Sequence, residues 1–502
     1  MKPPAAFIAL LIFSSYGLAE ATADTIHAEA LVLARAGLFA EARRVLIRGQ
    51  SAYPKDKRFP MDLAGVAFRL QNRTAAKAHI RRALQIDPAD TYSNDLLATL
   101  YMLQGNLEAA VKYWNRVSKP IVRRVRIPND PGIDPGLLRK ALPQTEAQLL
   151  TADALRGARA DLNRLGVFRR YRLDLVAAPE DDFELHFDGW TGGELSTRRA
   201  VRLLPYLRGL PYQALHVDFM NLRASGTHFT SMWRWDPDKR RAVLSLRGVL
   251  PRDPRWKLGI AADLRDEIWD LRNGDLPFSM RRNELTIEAS RRMTSRLVWT
   301  NQISHTRRKF KDTAFSGGFS VKNSAGFSYL LADLPEHDFT VRADATGEIG
   351  QFFGHSTFGK VRANVTTSWE PGDWQVASRI LAGTAKGTVP FDELFVIGME
   401  RDHDLWLRGH VATHRGRKGA SPVVPDYLLF LSEADRVAYR HAAFRFRIGP
   451  FVDFGRAGGW LVDAGMQSKV DVLSGMTVTF VYGRNLRDGG GVFYATVSPG
   501  GR

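Results

Sequence analysis

From about residue 195 to the C-terminus, apolar and polar residues alternate along the chain with a period of two. The alternation is clearest in the segments 284–290, 341–346, 361–366, 444–449 and 476–482. Because successive side chains of a strand point to opposite faces, this pattern predicts strands with one apolar and one polar face. The region is about 300 residues long, which is enough for an antiparallel barrel of about sixteen strands.

Two kinds of protein have this alternation. A soluble β protein buries its apolar face, whereas a transmembrane barrel turns that face to lipid and its polar face to the lumen. Tryptophan favours the barrel, because such barrels carry aromatic girdles at both membrane interfaces. Nine of the eleven tryptophans follow residue 191, namely Trp233, Trp235, Trp256, Trp269, Trp299, Trp369, Trp374, Trp406 and Trp460.

The N-terminal residues predict export. Residues 5–16 are mostly apolar and follow Lys2, and they are too few to cross a bilayer as a helix. Two small-x-small cleavage sites follow, within residues 19–23. We therefore predict a secretory signal peptide over residues 1–23 and no transmembrane helix after it.

Residues 26–120 have helical spacing, with three positions that recur every 34 residues. Small residues at these positions let two helices approach, larger ones fill the gap, and Pro54 and Pro88 stop the second helix. This register resembles the tetratricopeptide repeat, whose arrays present a concave surface to a partner. An unrelated helical bundle is the alternative. The recurring sets are Ala42, Ala76 and Ala110; Leu46, Ile80 and Trp114; and Gly49, Ala83 and Val117.

Residues 121–190 predict the order β-α-α-β-β. The second helix covers 151–165, and Gly166 ends it as a C′ glycine does. The segment 162–175, LNRLGVFRRYRLDL, resembles the end of a POTRA domain, the periplasmic module of outer-membrane assembly and secretion pores. A generic α+β linker domain is the alternative.

Composition narrows the possible functions. Lys and Arg number 71 against 53 acidic residues, a formal charge of +18, which suits an anionic lipid surface or nucleic acid. We assign basic stretches such as Arg307-Arg308-Lys309 to loops or lipid headgroup contacts, and we predict no nucleic-acid partner. Cysteine is absent, which excludes Cys-ligated zinc and thiol catalysis. Since no hydrolase motif occurs, we predict no enzymatic activity, no catalytic or metal-binding residue and no cofactor.

The alternation breaks at residues 391–410, and a long Gly- and Pro-bearing stretch follows before strands resume. The order of a Gly-bearing strand, a long loop with an Arg-Gly tip and a later strand Asp resembles the BamA-like outer-membrane assembly and secretion superfamily. The resemblance covers about 121–502 and implies that the loop folds back into the lumen, where Arg408 meets Asp453. Here the tip is Arg408-Gly409-His410, with His in place of the usual Tyr or Phe.

Strand parity places Asp453 independently of the resemblance. Asp453 shares a strand face with Arg445 and Arg447, whereas Phe444 and Phe454 lie on the other face. In a barrel the charged face is luminal, so Asp453 would lie inside a positively charged lumen. The alternative is an exposed Arg-Gly turn and an ordinary strand Asp.

The resemblance also implies a weak seam that opens laterally, between a first strand near 200–207 and a last strand near 491–498. Pro205 cannot donate a ladder hydrogen bond, and Gly489, Gly490 and Gly491 favour a bend. The segment 216–229 resembles the first hairpin of the family.

Together these features predict tetratricopeptide repeats at 26–120, a POTRA-like domain at 121–190 and an outer-membrane barrel at 195–502. The resemblance implies insertion of outer-membrane proteins or export of a protein. The expected partners are an unfolded or secreted client, a periplasmic protein on the repeats and outer-membrane lipid. A passive porin-like exporter of polysaccharide or solute is the main alternative. An outer-membrane hydrolase is disfavoured because its motifs are missing.

Overall fold

The computed structural model describes residues 22–143, 147–179, 182–191, 208–271, 276–354, 357–400, 402–441, 444–472 and 476–499. The core of the predicted signal peptide and Pro205 lie outside the described residues. The chain divides into two compact units between Pro120 and Ile121.

The first unit consists of helices. None of the described helices is both long and apolar enough to cross a bilayer. Consecutive helices pack against each other along the chain. They are α1 (Ala23–Arg35), α2 (Phe39–Ala52), α3 (Arg58–Arg69), α4 (Arg73–Ile86), α5 (Thr91–Met102) and α6 (Leu107–Trp114).

Local sequence accounts for the start and spacing of these helices. The side chains of Asn72 and Asn106, 34 residues apart, cap α4 and α6 by accepting a backbone N–H in the first turn. The recurring alanines at 42, 76 and 110 are fully buried. A Cβ at Gly49 would lie 2.2 Å from the Phe59 ring, so glycine allows α2 and α3 to approach.

The second unit begins with an α+β domain. Its sheet has the order β2-β1-β4-β3, in which β1 and β4 are parallel. The prediction missed the two-residue strand β2, which pairs with β1. The elements are β1 (Ile121–Arg126), α7 (Pro135–Ala141), β2 (Gln148–Leu149), α8 (Ala152–Leu165), β3 (Phe168–Ala177) and β4 (Phe183–Thr191).

A closed barrel follows, and its sheet contains seventeen strands of the described residues. The predicted helical N-terminal region and large antiparallel barrel are thus confirmed. The strands before the long loop are β5 (Ala214–Leu222), β6 (Thr227–Arg234), β7 (Lys239–Leu250), β8 (Asp253–Trp269), β9 (Phe278–Arg292), β10 (Leu297–Lys311), β11 (Gly318–Leu334), β12 (Phe339–Phe352), β13 (Thr357–Trp369) and β14 (Trp374–Gly387). Two-residue strands lie in the loop, β15 (Phe395–Val396), β16 (Thr413–His414), β17 (Arg417–Lys418) and β18 (Val423–Val424). The wall then continues with β19 (Asp426–Arg440), β20 (Phe444–Arg456), β21 (Trp460–Val472), β22 (Met476–Asn485) and β23 (Gly491–Pro499).

The barrel closes between β23 and β5, which are neighbours in the sheet order. The expected first strand near 200–207 lies outside the described residues, and the first described barrel strand begins at Ala214. Gly489 and Gly490 lie in the turn from β22 into β23, where Gly489 has φ +76°, and Gly491 is the first residue of β23.

The end of the barrel that meets the α+β domain is here called proximal, and the opposite end distal. Hydrogen bonds connect turns at the proximal end with the domain. Asn221 Nδ2 donates to Gly132 O at 2.6 Å, and Lys140 Nζ donates to Pro251 O at 2.8 Å. The hairpin that contains Asn221 is the β5–β6 hairpin of the predicted segment 216–229.

Helix α8 anchors the domain to the barrel more firmly. Arg292 at the end of β9 forms a bidentate pair with Asp161, at 2.6 and 2.5 Å. Arg156 pairs with Asp333 of β11 at 2.7 Å. The contact also excludes water from the Arg164 guanidinium on the same helix, and this burial lowers its pKa.

The two faces of the wall follow the predicted alternation. On β9, Leu285 and Ile287 are exposed on the outer face. Two of the tryptophans assigned to girdles lie elsewhere. Trp269 is buried inside the barrel, 5.0 Å from the Phe391 ring, and Trp406 belongs to the long loop. Side-chain parity at the end of β8 turns Trp269 inward.

Candidate functional site: an ion-paired loop inside the barrel

Residues 388–425 form the lumen loop. Strands β14 and β19 pair directly, so the chain leaves the wall after Gly387 and rejoins it at Asp426. Between these points the described loop residues contact inward-facing side chains around the barrel. An apolar cluster fixes its middle and contains Phe395, Ile397, Leu405 and Leu407 of the loop with Leu381, Tyr427 and Leu429 of the wall.

Arg408 is the most extensively bonded side chain of the loop tip. Its Nε and Nη2 donate to the two carboxylate oxygens of Asp453 at 2.8 and 2.5 Å. Its Nη1 donates to Glu433 at 2.7 Å and to Gln467 at 3.0 Å. The guanidinium carbon lies 4.0 Å from the centre of the Phe451 ring. A bidentate, charge-assisted pair with a stacked ring is among the strongest non-covalent anchors available to an arginine.

The next two tip residues bind a second carboxylate. Asp463 of β21 lies directly opposite Asp453 of β20, and both are fully buried. Like charges directly opposite each other destabilise a sheet unless each carboxylate has a hydrogen-bond or ion-pair partner. Gly409 N donates to Asp463 at 2.6 Å, and His410 Nδ1 lies 3.0 Å from the same oxygen. His410 Nε2 lies 3.0 Å from Asn485 Nδ2, so both ring nitrogens have partners.

Glycine is needed at the tip for steric reasons. A Cβ at Gly409 would lie 2.7 Å from Asp463 Cγ and 2.8 Å from the carbonyl carbon of Arg484. A Cβ at Gly483 of β22 would lie 2.2 Å from the carbonyl oxygen of Arg408. The tip thus lies flat against the wall, with backbone contacting backbone.

The first part of the loop is held by charges of the opposite sign. Asp392 and Glu393 are almost completely buried. Glu393 lies 2.8–3.4 Å from four wall cations, and Asp392 lies 2.8 and 3.1 Å from two of them. The four cations are Arg282 of β9, Arg308 of β10, Lys322 of β11 and Lys360 of β13.

A third ionic contact connects the loop with β6–β8. Asp402 lies 2.5 Å from Arg241 and 3.2 Å from Arg234. It also pairs with Lys418 of the loop, whose Nζ donates to Glu267 of β8 at 2.6 Å. A cavity of about 310 Å³ remains between these charged groups and the wall.

The structure therefore brings together Arg408, Gly409, His410 and Asp453, the residues chosen from the sequence. The lumen, which we predicted to be positively charged, also contains the acidic residues Glu433, Asp435 and Asp463. The stretch Arg307-Arg308-Lys309 is divided between the two faces, since Arg308 points inward to Asp392.

The sequence reasoning missed Asp392, Glu393 and Asp402. One signal was available, since acidic residues recur through 392–404 of a loop expected to enter a basic lumen. In the described residues no group of three or more His, Cys, Asp and Glu side chains is arranged to hold a metal ion.

No protein-family model matches the sequence, and no curated protein is significantly similar to it. CdiB from Escherichia coli superimposes with a TM-score of 0.52 at 12% sequence identity, over 76% of this chain and 74% of that chain. The chain has the barrel fold of CdiB. CdiB from Acinetobacter baumannii gives a TM-score of 0.48 at 12% identity, over 75% of this chain and 73% of that one. BamA from Haemophilus ducreyi lacking POTRA domains 1–3 gives 0.44 at 12% identity, over 76% and 84%.

The fold shared with CdiB confirms the predicted barrel architecture. At 12% identity the likeness to CdiB concerns the fold, so the role of the lumen loop has to be argued from its contacts.

Proposed function

We propose that this chain is an outer-membrane β-barrel translocase or insertase that moves a polypeptide client across or into that membrane. The fold of CdiB, the apolar outer face and the predicted signal peptide support this assignment. Outer-membrane lipid would surround the barrel, and the N-terminal domains would lie in the periplasm.

The contacts of the lumen loop distinguish a gated translocase from a passive pore. A passive porin-like exporter would have an open polar lumen and no contact between Arg408 and Asp453. Instead, ionic contacts attach the loop to β6–β11, β13 and β19–β21, and a hydrogen bond attaches it to β22. Removing one partner of a buried ion pair costs about 3–5 kcal/mol, so such a loop stays in place until a client or a movement of the wall replaces its partners.

The N-terminal domains suit the binding of polypeptides. The six-helix unit would act as a tetratricopeptide array that holds a periplasmic partner protein. The POTRA-like domain would take an unfolded or secreted client by strand addition, since β3, ten residues long, lies at the edge of its sheet. We propose β5 and β23 as the seam for lateral release, where Tyr212 Oη donates to Ala495 O at 2.5 Å.

Separate and joint replacement of Arg408 and Asp453 tests the proposal. We expect Arg408→Ala and Asp453→Asn each to raise the conductance of the purified protein in planar bilayers, because each leaves a buried charge without its partner. The double variant should open no further than either single variant, since the two residues act as one unit.

Asp404→Asn is the matched control. Asp404 belongs to the same loop and pairs with Arg379 of β14 at 3.0 Å, but it is exposed. Its loss should leave conductance unchanged, because exposed pairs contribute about 0–1 kcal/mol. Equal conductance in all variants and the native chain would favour the passive pore.

A further inference from the structure

A groove of about 380 Å³ lies on the outer wall at the distal end of β6–β9. The barrel register places most of its lining on the lipid-facing side, since Trp233 lies opposite Ala242 and Ala242 opposite Leu264, whereas Arg234, Arg241 and Arg265 point into the lumen. Trp233, Trp235 and Leu264 are 47%, 52% and 44% exposed, which places them on the outer surface rather than in the lumen.

Charged and aromatic groups meet in this groove. Arg240 of β7 and Arg281 of β9 lie on either side of Asp266 of β8, and Arg281 pairs with Asp266 at 2.9 Å. Asp266 is the one carboxylate among the described groove residues that point outward. Tryptophan and arginine at the end of an apolar wall suit a ligand that is partly lipid and partly anionic.

A row of cations continues the groove onto β10. Arg307, Lys309 and Lys311 all point outward and are exposed. Lys309 lies directly opposite Arg281. Two cations in this position destabilise the sheet unless an anion lies between them.

The width of the charged surface restricts its ligand. From Arg240 on β7 to Lys309 on β10 there are three strand spacings, about 14 Å at about 4.8 Å each. One phosphate group is too small to contact cations so far apart, whereas two phosphates at the ends of a disaccharide can reach both. We infer that this surface binds the headgroup of a diphosphorylated glycolipid. The inference rests on the proposed membrane location of the barrel, although not on its transport function.

The purified full chain in phosphatidylethanolamine nanodiscs allows a direct test. Native mass spectrometry would measure how much diphosphorylated lipid A the protein retains, with monophosphorylated lipid A and phosphatidylglycerol as competitors. We expect the double variant Arg281→Ala, Lys309→Ala to lower retention about tenfold, which corresponds to about 1.4 kcal/mol. The monophosphorylated form should compete weakly and phosphatidylglycerol least.

Arg436→Ala is the matched control, because Arg436 is an exposed arginine near the proximal end of β19. Retention by this variant should equal that of the native chain. Equal retention by the double variant, an equal loss in Arg436→Ala, or equal competition by phosphatidylglycerol would each overturn the inference. Protein that does not enter nanodiscs at all would contradict the proposed function instead, and a flotation assay distinguishes that outcome.

Discussion

His410 makes hydrogen bonds at the loop tip that a phenyl ring cannot make. The resemblance noted in the sequence implies Tyr or Phe at this place, whereas both ring nitrogens of His410 have polar partners, Asp463 and Asn485. Asp463 is fully buried and faces Asp453 across the sheet. His410 therefore donates a hydrogen bond to a buried carboxylate beside the main ion pair.

We expect His410→Phe to weaken the attachment of the tip by about 1–3 kcal/mol, because it removes one of two donors to a buried carboxylate. Limited proteolysis of the detergent-purified protein would show faster cleavage between residues 405 and 412. His414→Phe, at an exposed position of the same loop, should cleave at the native rate. Equal rates for native protein and His410→Phe would show that the ring acts only by filling space.

At the scale of elements, two of the three ionic contacts of the lumen loop use opposite charges. Arg408 contacts acids on β19 and β20, whereas Asp392 and Glu393 contact cations on β9, β10, β11 and β13. Arg282 and Arg308 lie directly opposite each other in the sheet. The carboxylates of Asp392 and Glu393 therefore compensate two like charges of the wall as well as holding the loop.

The double variant Asp392→Asn, Glu393→Gln should release the first part of the loop and leave the tip bound. Hydrogen exchange should rise in residues 391–396 and stay low in residues 405–410, because the Arg408 contacts remain intact. Asp426→Asn, an exposed carboxylate where the loop ends, is the control and should change neither segment. Exchange that rises equally in both segments would mean that the loop leaves the lumen as one body.

The same elements explain what the sequence could predict. Strand alternation is a local property, so the inward position of Asp453 followed from parity within β20 alone. The recurring alanines of the helical unit follow from local spacing too. The glycine of the repeat does not recur in the same way: Gly37 and Gly105 have positive φ, and Gln71 adopts φ +60° at the related position. The partners of Glu393 come from four strands between residues 278 and 369, and their convergence depends on barrel closure and register, which periodicity does not encode.

At the scale of the whole second unit, the α+β domain is fixed to the barrel by a buried ion pair. Asp161 and Arg292 are 4% and 15% exposed, so water screens their attraction poorly. A Cβ at Gly157 would lie 3.3 Å from the Arg292 guanidinium, which shows how closely α8 approaches the end of β9. Under the proposed function, the domain that passes a client to the barrel would therefore be held in a fixed position at the proximal end.

We expect Asp161→Asn to loosen this attachment, since removing one partner of a buried pair costs about 3–5 kcal/mol. Hydrogen exchange should rise in α8 and in the β9–β10 turn, while the strands of the barrel keep native protection. Asp188→Asn is the control, because Asp188 is an exposed carboxylate on β4 of the same domain. If Asp161→Asn leaves exchange at α8 unchanged, the hydrogen bonds from Asn221 to Gly132 and from Lys140 to Pro251 hold the domain instead, and the ion pair contributes little to its attachment.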